Sequence, residues 1–211
     1  MKDYLNQKLT FLSDKILDED GHSVMMSWET PIMEKVADII TQNGGKILNI
    51  GFGMGIVDTF IQSKNIEEHW IVEPHPDILQ KMKDGGWYDK SNVKIIESTW
   101  ENCIDNLPQF DGIYFDIWGK GETFTFDLLF EKVKNILKPN GIFSYWFGDT
   151  HKSSPNHLNL FEKSGFDVKW KSVVFRDGEV SSSDEQFING DGYYFNPNQK
   201  FCFIPILTRK C

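Results

Sequence analysis

Residues 49–55 of this 211-residue chain read Asn-Ile-Gly-Phe-Gly-Met-Gly, between the apolar run Lys46–Ile50 and the helical pattern Ile56–Ile61. Glycines between a strand and a helix permit a tight turn, and they let backbone N–H groups approach a ligand closely. In α/β folds this position lies at the carboxyl edge of the sheet, where ligands bind. The stretch therefore predicts a strand, a binding loop and a helix. The alternative is that the glycines only turn the chain.

Short apolar runs and helical patterns alternate on the C-terminal side of this loop, which is typical of parallel strands joined by crossover helices. The predicted strands are Lys46–Ile50, Trp70–Val72, Val93–Ile96, Gly112–Phe115 and Ile142–Phe147. The predicted helices are Ile56–Ile61, Ile78–Met82 and a longer one from Phe126 to Leu137. Two further strand-like runs, Val168–Phe175 and Phe201–Leu207, predict an antiparallel hairpin at one edge. We expect an α/β, Rossmann-like fold: a mostly parallel seven-stranded sheet with helices on both faces.

The N-terminal region carries two helical patterns. The first predicts an N-terminal helix or lid over residues 1–20, from the spacing of Leu5, Leu9, Leu12 and Ile16. A second helix is expected to start near Thr30, with Pro31 in its first turn and Gly44 and Gly45 at its end. The main domain is then expected to span residues 21–211.

Composition limits the classes of function. A formal net charge of −9 disfavours a nucleic-acid partner, which needs clustered basic residues, and favours a cationic ligand. No run of 18 apolar residues and no signal-peptide pattern is present, so we expect a soluble cytoplasmic protein without a membrane partner. The three cysteines are widely spaced and predict neither a disulfide framework nor a metal site. The sequence leaves monomer and homodimer open.

The glycine spacing separates two classes of cofactor. The dinucleotide fingerprint needs its third glycine five positions after the first, whereas Gly55 is four after Gly51, which disfavours a nicotinamide cofactor. Glu73 ends the second predicted strand, 73 − 51 = 22 positions after the first glycine, where a carboxylate can accept hydrogen bonds from both ribose hydroxyls. The alternative is an acid that only precedes the next helix and favours its dipole.

Ser98, Thr99 and Trp100 follow the third strand of the predicted sheet. An adenine ring at this position would need a flat apolar partner and a backbone hydrogen bond. Trp100 suits the stacking role, and a position in the core is the alternative for this side chain.

Two segments place a carboxylate among apolar residues: residues 24–33, Val-Met-Met-Ser-Trp-Glu-Thr-Pro-Ile-Met, and residues 110–118, Phe-Asp-Gly-Ile-Tyr-Phe-Asp-Ile-Trp. Asp116 ends the fourth strand, so it is expected at the same rim as the glycine loop. Glu29 precedes the helix that should pack nearby. Singly, Glu29 could be an acid in the first turn of a helix and Asp116 a solvated strand-end residue.

Together these motifs resemble the guanidino N-methyltransferases, the family of guanidinoacetate and arginine δ-N-methyltransferases. The resemblance runs from about Gly21 to the end of the chain and includes His69-Trp70-Ile71-Val72-Glu73 and the tail Tyr193-Tyr194 with Pro205. It implies a class I methyltransferase fold that uses S-adenosylmethionine. It also implies that Glu29 and Asp116 grip the guanidinium, with Met25 and Met33 lining the cofactor pocket. The cofactor would be held by Gly51, Gly53, Met54, Glu73, Ser98, Thr99 and Trp100.

The chemistry of such a reaction agrees with a pair of acids. A guanidinium has a pKa above about 12, so its neutral form lies on the order of 8 kcal/mol uphill at pH 7. Methyl transfer from a sulfonium to this cation requires a group that accepts the proton and offsets the charge. Asp116 is the candidate base, and Glu29 would orient the planar guanidinium through paired hydrogen bonds.

The substrate is the least determined feature. Gly86-Trp87-Tyr88-Asp89-Lys90 resembles the arginine branch, and Asp149, after the fifth strand, would repel a carboxylate or attract an α-ammonium group. Because the chain lacks the extra N-terminal domain of the fungal members, we expect a small arginine-like compound, free arginine ahead of guanidinoacetate. The alternatives are methylation of an arginine residue in a protein and a non-catalytic cofactor-binding module.

Overall fold

The computed structural model describes residues 4–118, 125–146, 161, 164–174 and 201–210. These residues form ten strands, which we number in chain order: β1 (Thr10–Phe11), β2 (Lys15–Leu17), β3 (Ser23–Met26), β4 (Lys46–Ile50), β5 (Glu68–Val72), β6 (Val93–Ile96), β7 (Phe110–Phe115), β8 (Leu137–Tyr145), β9 (Phe166–Val174) and β10 (Phe201–Arg209). They also form five α-helices: α1 (Thr30–Ile40), α2 (Ile56–Gln62), α3 (Pro76–Asp84), α4 (Trp100–Cys103) and α5 (Phe126–Ile136).

Seven strands form the central sheet in the order β6-β5-β4-β7-β8-β10-β9. The first five are parallel, and β10 runs antiparallel to both β8 and β9. The predicted sheet and its C-terminal antiparallel hairpin are therefore confirmed. Because β4, β5 and β7 are neighbours and parallel, the residues after their carboxyl ends come together at one edge.

Apolar side chains cover the two faces of this sheet. Helices α1 and α2 pack against a face that includes Tyr114 and Cys202, and α5 packs against the opposite face, with Phe115 and Tyr145. Successive residues of β7 therefore point to opposite faces, as strand geometry requires. Helix α1 begins at the predicted residue, with Pro31 in its first turn. Proline is favoured there because N–H groups in the first turn have no helical carbonyl to bond, so the missing N–H costs nothing.

The expected N-terminal helix is wrong, because this region forms a 3-10 turn at Tyr4–Asn6 followed by the antiparallel sheet β1-β2-β3. A turn in which Leu12 N donates to Lys15 O (2.9 Å) joins β1 to β2. Leu9 and Ile16 are buried on the domain, whereas the Leu12 side chain is 46% exposed. Apolar residues that are three or four apart therefore fit a tight hairpin as well as a helix. Ser13 and Asp14, which lie between β1 and β2, are residue types typical of turns. The lid role and the boundary at residue 20 stay predictions.

No helix in the described ranges is both long enough and apolar enough to span a membrane.

Candidate active site

The glycine loop between β4 and α2 contacts the carboxyl end of β7. Gly51 and Gly53 adopt left-handed backbone conformations, with φ of 96° and 54°. A Cβ atom on Gly51 would lie 1.8 Å from the carbonyl oxygen of Asp116, and Asp116 N donates to Ile50 O at 2.9 Å. The loop predicted to bind the cofactor and the predicted base are therefore joined through the backbone.

Glu73 lies at the end of β5, beside the same loop. Its Oε2 accepts a hydrogen bond from Phe52 N (2.9 Å), and its Oε1 accepts one from His75 N (2.8 Å). Burial raises the pKa of Glu73 to about 7, although these backbone donors lower it. The Gly53 backbone N–H is a third donor to this carboxylate, which has about four acceptor positions, so capacity remains for a ribose hydroxyl.

Two methionines connect the N-terminal strands to the loop. Met25, on β3, accepts a hydrogen bond at Sδ from Met54 N at 3.1 Å, and a Cβ on Gly53 would lie 2.5 Å from the same sulfur. Met33 is fully buried on the inner side of α1 and belongs to the apolar core. Strand β3 therefore closes one side of the glycine loop. Whether Met25 and Met33 line a cofactor pocket stays a prediction.

Ser98, Thr99 and Trp100 follow β6 at the edge of the sheet that also holds Glu73. Thr99 is the N-cap residue of α4, and the Trp100 ring packs edge-on against Phe115, with centroids 5.4 Å apart. Trp100 is only 4% exposed. The structure therefore places this side chain in the core, which was one of the two alternatives, and stacking on adenine stays a prediction.

Glu29 is buried in the turn between β3 and α1. Its Oε1 accepts a hydrogen bond from Met26 N at 2.8 Å. Burial and the nearby charge of Asp116 raise the pKa of Glu29 well above its ordinary value. Within the described part of the chain, Glu29 forms no ion pair with a lysine, arginine or histidine. Its side chain is therefore suited to an external cation.

Asp116 is half-buried after β7, and two weaker acids, a tyrosine phenol and a cysteine thiol, lie in the same region. Tyr114 Oη donates to Asp116 Oδ2 at 3.5 Å. The pKa of Tyr114 is raised mainly by burial, and also by the charges of Asp116 and Glu29. Burial and the charge of Glu29 raise the pKa of Cys202, on β10, to about 12. The four groups form an acidic cluster, defined as Glu29, Tyr114, Asp116 and Cys202.

Two tryptophans join the elements that carry this cluster. Trp28 precedes Glu29 in the chain. Trp146 follows β8, and its backbone N–H donates to Phe115 O at 3.0 Å. The two rings lie 6.4 Å apart at an angle of 58°. This contact holds the turn bearing Glu29 against the sheet edge bearing Asp116, and aromatic pairs of this kind contribute about 0.5–1.5 kcal/mol beyond their buried area.

No site role was predicted for Tyr114 or Cys202 from the sequence. Tyr114 lies two residues before Asp116, and the period of a strand directs such residues to the same face, so that signal was available. Cys202 reaches the cluster because β10 pairs with β8, and local sequence does not specify this pairing. Asp149 lies outside the described residues. Among the residues that the structure describes, no group of three or more His, Cys, Asp or Glu side chains could hold a metal ion.

Solved structures with the same architecture are methyltransferases and related enzymes. A precorrin-6y C5,15-methyltransferase from Geobacter metallireducens has a TM-score of 0.60 at 15% identity, covering 88% of this chain and 90% of that one. The spermidine synthase from Thermotoga maritima has a TM-score of 0.59 at 13% identity, covering 96% and 72%. The fold is therefore that of the Rossmann-like methyltransferases.

Sequence comparison identifies the family. The model described as guanidinoacetate N-methyltransferase matches residues 7–181, and the chain belongs to this family. Curated relatives named protein arginine N-methyltransferase 2 are 43% identical over 155 residues in Candida glabrata and 42% identical over 156 in Saccharomyces cerevisiae. These matches cover 69% of this chain but only 37% and 38% of the relatives, so the chain spans less than half of their length.

Proposed function

We propose that this chain transfers a methyl group from S-adenosylmethionine to a guanidino nitrogen of arginine. The main supporting observation is that the buried Glu29 lies within electrostatic reach of Asp116, whose backbone contacts the glycine loop at Gly51. Among the described residues, no lysine, arginine or histidine forms an ion pair with Glu29. Membership of the guanidinoacetate N-methyltransferase family supports a guanidino acceptor.

The residues at the sheet edge fit the proposed cofactor. S-adenosylmethionine would supply an electrophilic methyl group on a sulfonium. Glu73 could accept a ribose hydroxyl, because its carboxylate keeps acceptor capacity beyond its bonds to Phe52 N, His75 N and Gly53 N. The glycine loop would let backbone N–H groups approach the cofactor closely, and Met25 contacts the loop from the side of β3.

The acidic cluster supplies what the acceptor needs. Two carboxylates can bind a planar guanidinium through paired hydrogen bonds and direct one nitrogen at the methyl carbon. The guanidino nitrogen would receive the methyl group of S-adenosylmethionine, and Asp116 would take the proton that leaves this nitrogen. Glu29 offsets the positive charge that methyl transfer adds to the acceptor.

Arginine in a protein is the acceptor that the relatives favour, because their printed name is protein arginine N-methyltransferase 2. A free guanidino compound is the second candidate, and the description of the matching family model, guanidinoacetate N-methyltransferase, favours it. The same two carboxylates serve either acceptor, since both present the same planar cation.

The test is a substrate panel with methyl-labelled S-adenosylmethionine. Free arginine, guanidinoacetate and protein fractions are each incubated with the purified chain, and mass spectrometry locates the label. Label on arginine residues supports the first acceptor, and label on a small guanidino compound supports the second. Label on neither, with S-adenosylhomocysteine still bound, would contradict the proposed function.

A further inference from the structure

The acidic cluster contains a buried phenol that the proposed reaction does not use. Tyr114 is 1% exposed on β7, and its hydroxyl donates to Asp116 Oδ2 at 3.5 Å. A buried hydroxyl group normally has a hydrogen-bond partner, and here that partner is the carboxylate assigned as the base.

We propose that Tyr114 is a positioning residue, whose O–H holds the Asp116 carboxylate in the orientation that receives the guanidinium proton. The inference rests on the proposed function. Asp116 lies after the end of β7, so the strand hydrogen bonds fix its backbone at Asp116 N but not its side chain. The phenol ring is rigid and belongs to the apolar core beneath α1, so its oxygen is a fixed point for that side chain.

The charged and titratable groups around Tyr114 make an O–H donor useful. Glu29 faces it from the turn before α1, Asp116 from the end of β7, and Cys202 from β10. The first two are acids that repel each other when both are ionised, and the Cys202 thiol is neutral near pH 7 because burial raises its pKa to about 12. A phenol that donates to Asp116 stabilises the charged form of that carboxylate against the charge of Glu29.

The matched experiment compares Tyr114→Phe with Tyr145→Phe. Both tyrosines are buried in adjacent strands, but Tyr145 faces the opposite side of the sheet, and burial alone raises its pKa. For Tyr114→Phe we expect kcat to fall roughly 10-fold, with the acid limb of the kcat/KM profile moving up by roughly one pH unit, as loss of a charge-assisted hydrogen bond implies. For Tyr145→Phe we expect the wild-type pH profile.

Binding supplies a second readout that does not depend on turnover. Arginine binding to the protein saturated with S-adenosylhomocysteine is measured by calorimetry between pH 5 and 8, and thermal melts check folding. In Tyr114→Phe the loss of affinity at low pH should begin at higher pH than in the wild type.

Three results would overturn the inference. The first is a Tyr114→Phe profile that matches that of Tyr145→Phe, and the second is a loss of activity that is equal at all pH values and follows a lowered melting temperature. The third is a wild-type protein that methylates no guanidino compound. That result removes the proposed function as well, and the wild-type assay alone identifies it.

Discussion

Glu29 is buried within electrostatic reach of the Asp116 carboxylate, and burial together with that like charge raises the pKa of Glu29 well above its ordinary value. Two acids in this arrangement destabilise each other unless a cation enters or one of them is protonated. The pair therefore lowers the stability of the ligand-free protein when both acids are ionised. The effects of single substitutions should therefore separate stability from activity.

Glu29→Gln should increase stability near neutral pH and decrease activity. A group whose pKa is raised in the folded state stabilises the protein at low pH, and this stability is lost as pH rises through the folded-state pKa. Glutamine carries no charge, so Glu29→Gln should recover the stability that ionisation of Glu29 removes. The glutamine oxygen can still accept from Met26 N. Loss of a charge-assisted bond to the guanidinium should lower kcat/KM about 10- to 100-fold. Thermal melts and initial rates at pH 7.5 measure both effects.

Glu34→Gln is the control for this substitution, because Glu34 is an exposed acid on α1, the helix that follows Glu29. It should leave both the melting temperature and kcat/KM near the wild-type values. Equal behaviour of the two variants would mean that the burial of Glu29 has no consequence for function.

Glu73 should make the stability of the ligand-free protein depend on pH. Because burial raises the pKa of Glu73 from 4.5 to about 7, its contribution is complete below pH 4.5 and is lost as pH rises through 7. A shift of that size corresponds to about 3 kcal/mol. Urea unfolding at pH 5 and pH 8 should show this loss in the wild type and not in Glu73→Gln.

The exposed Glu67, just before β5, provides the matched variant Glu67→Gln, which should keep the wild-type dependence on pH. If Glu73→Gln also keeps it, the ionisation of Glu73 is not linked to folding.

Gly51→Ala should disrupt the site, and Gly21→Ala should not. Both glycines have left-handed φ values, 96° and 82°, so both variants incur a backbone cost of about 1–2 kcal/mol. Only at Gly51 would the new Cβ meet backbone, 1.8 Å from Asp116 O, whereas at Gly21 nothing lies within 4 Å. Urea unfolding and S-adenosylhomocysteine binding should show a further loss for Gly51→Ala of at least about 2 kcal/mol. Similar losses in the two variants would refute this contact.

The sequence predicted the parts of the fold that depend on local patterns. The strand Lys46–Ile50 and the start of α1 at Thr30 were predicted correctly, because apolar periodicity and proline act over a few residues. Helix α1 ends at Ile40, before the predicted end at Gly44 and Gly45. The N-terminal hairpin was not predicted, since the spacing of Leu5, Leu9, Leu12 and Ile16 fits both a helix and a turn flanked by short strands. Contacts with the domain at Leu9 and Ile16 decide between them.

In the candidate site, too, some features follow from local sequence and others depend on contacts between residues distant in the chain. Glu29 and Asp116 were expected together, and the structure brings them together, but neither the backbone contact between Gly51 and Asp116 nor the approach of Cys202 follows from spacing. Both depend on which strands are neighbours in the sheet. The core position of Trp100 likewise depends on Phe115, which the strand order places beside it.

The central claim is that Asp116 receives the proton of a guanidinium held beside the cofactor, and the Asp116→Asn variant tests it most directly. Asparagine keeps the shape of the side chain and removes the base. We predict that this variant binds S-adenosylhomocysteine with an affinity close to that of the wild type, while methyl transfer to arginine falls about 10²- to 10⁴-fold. A rate of methyl transfer equal to that of the wild type would contradict the claim.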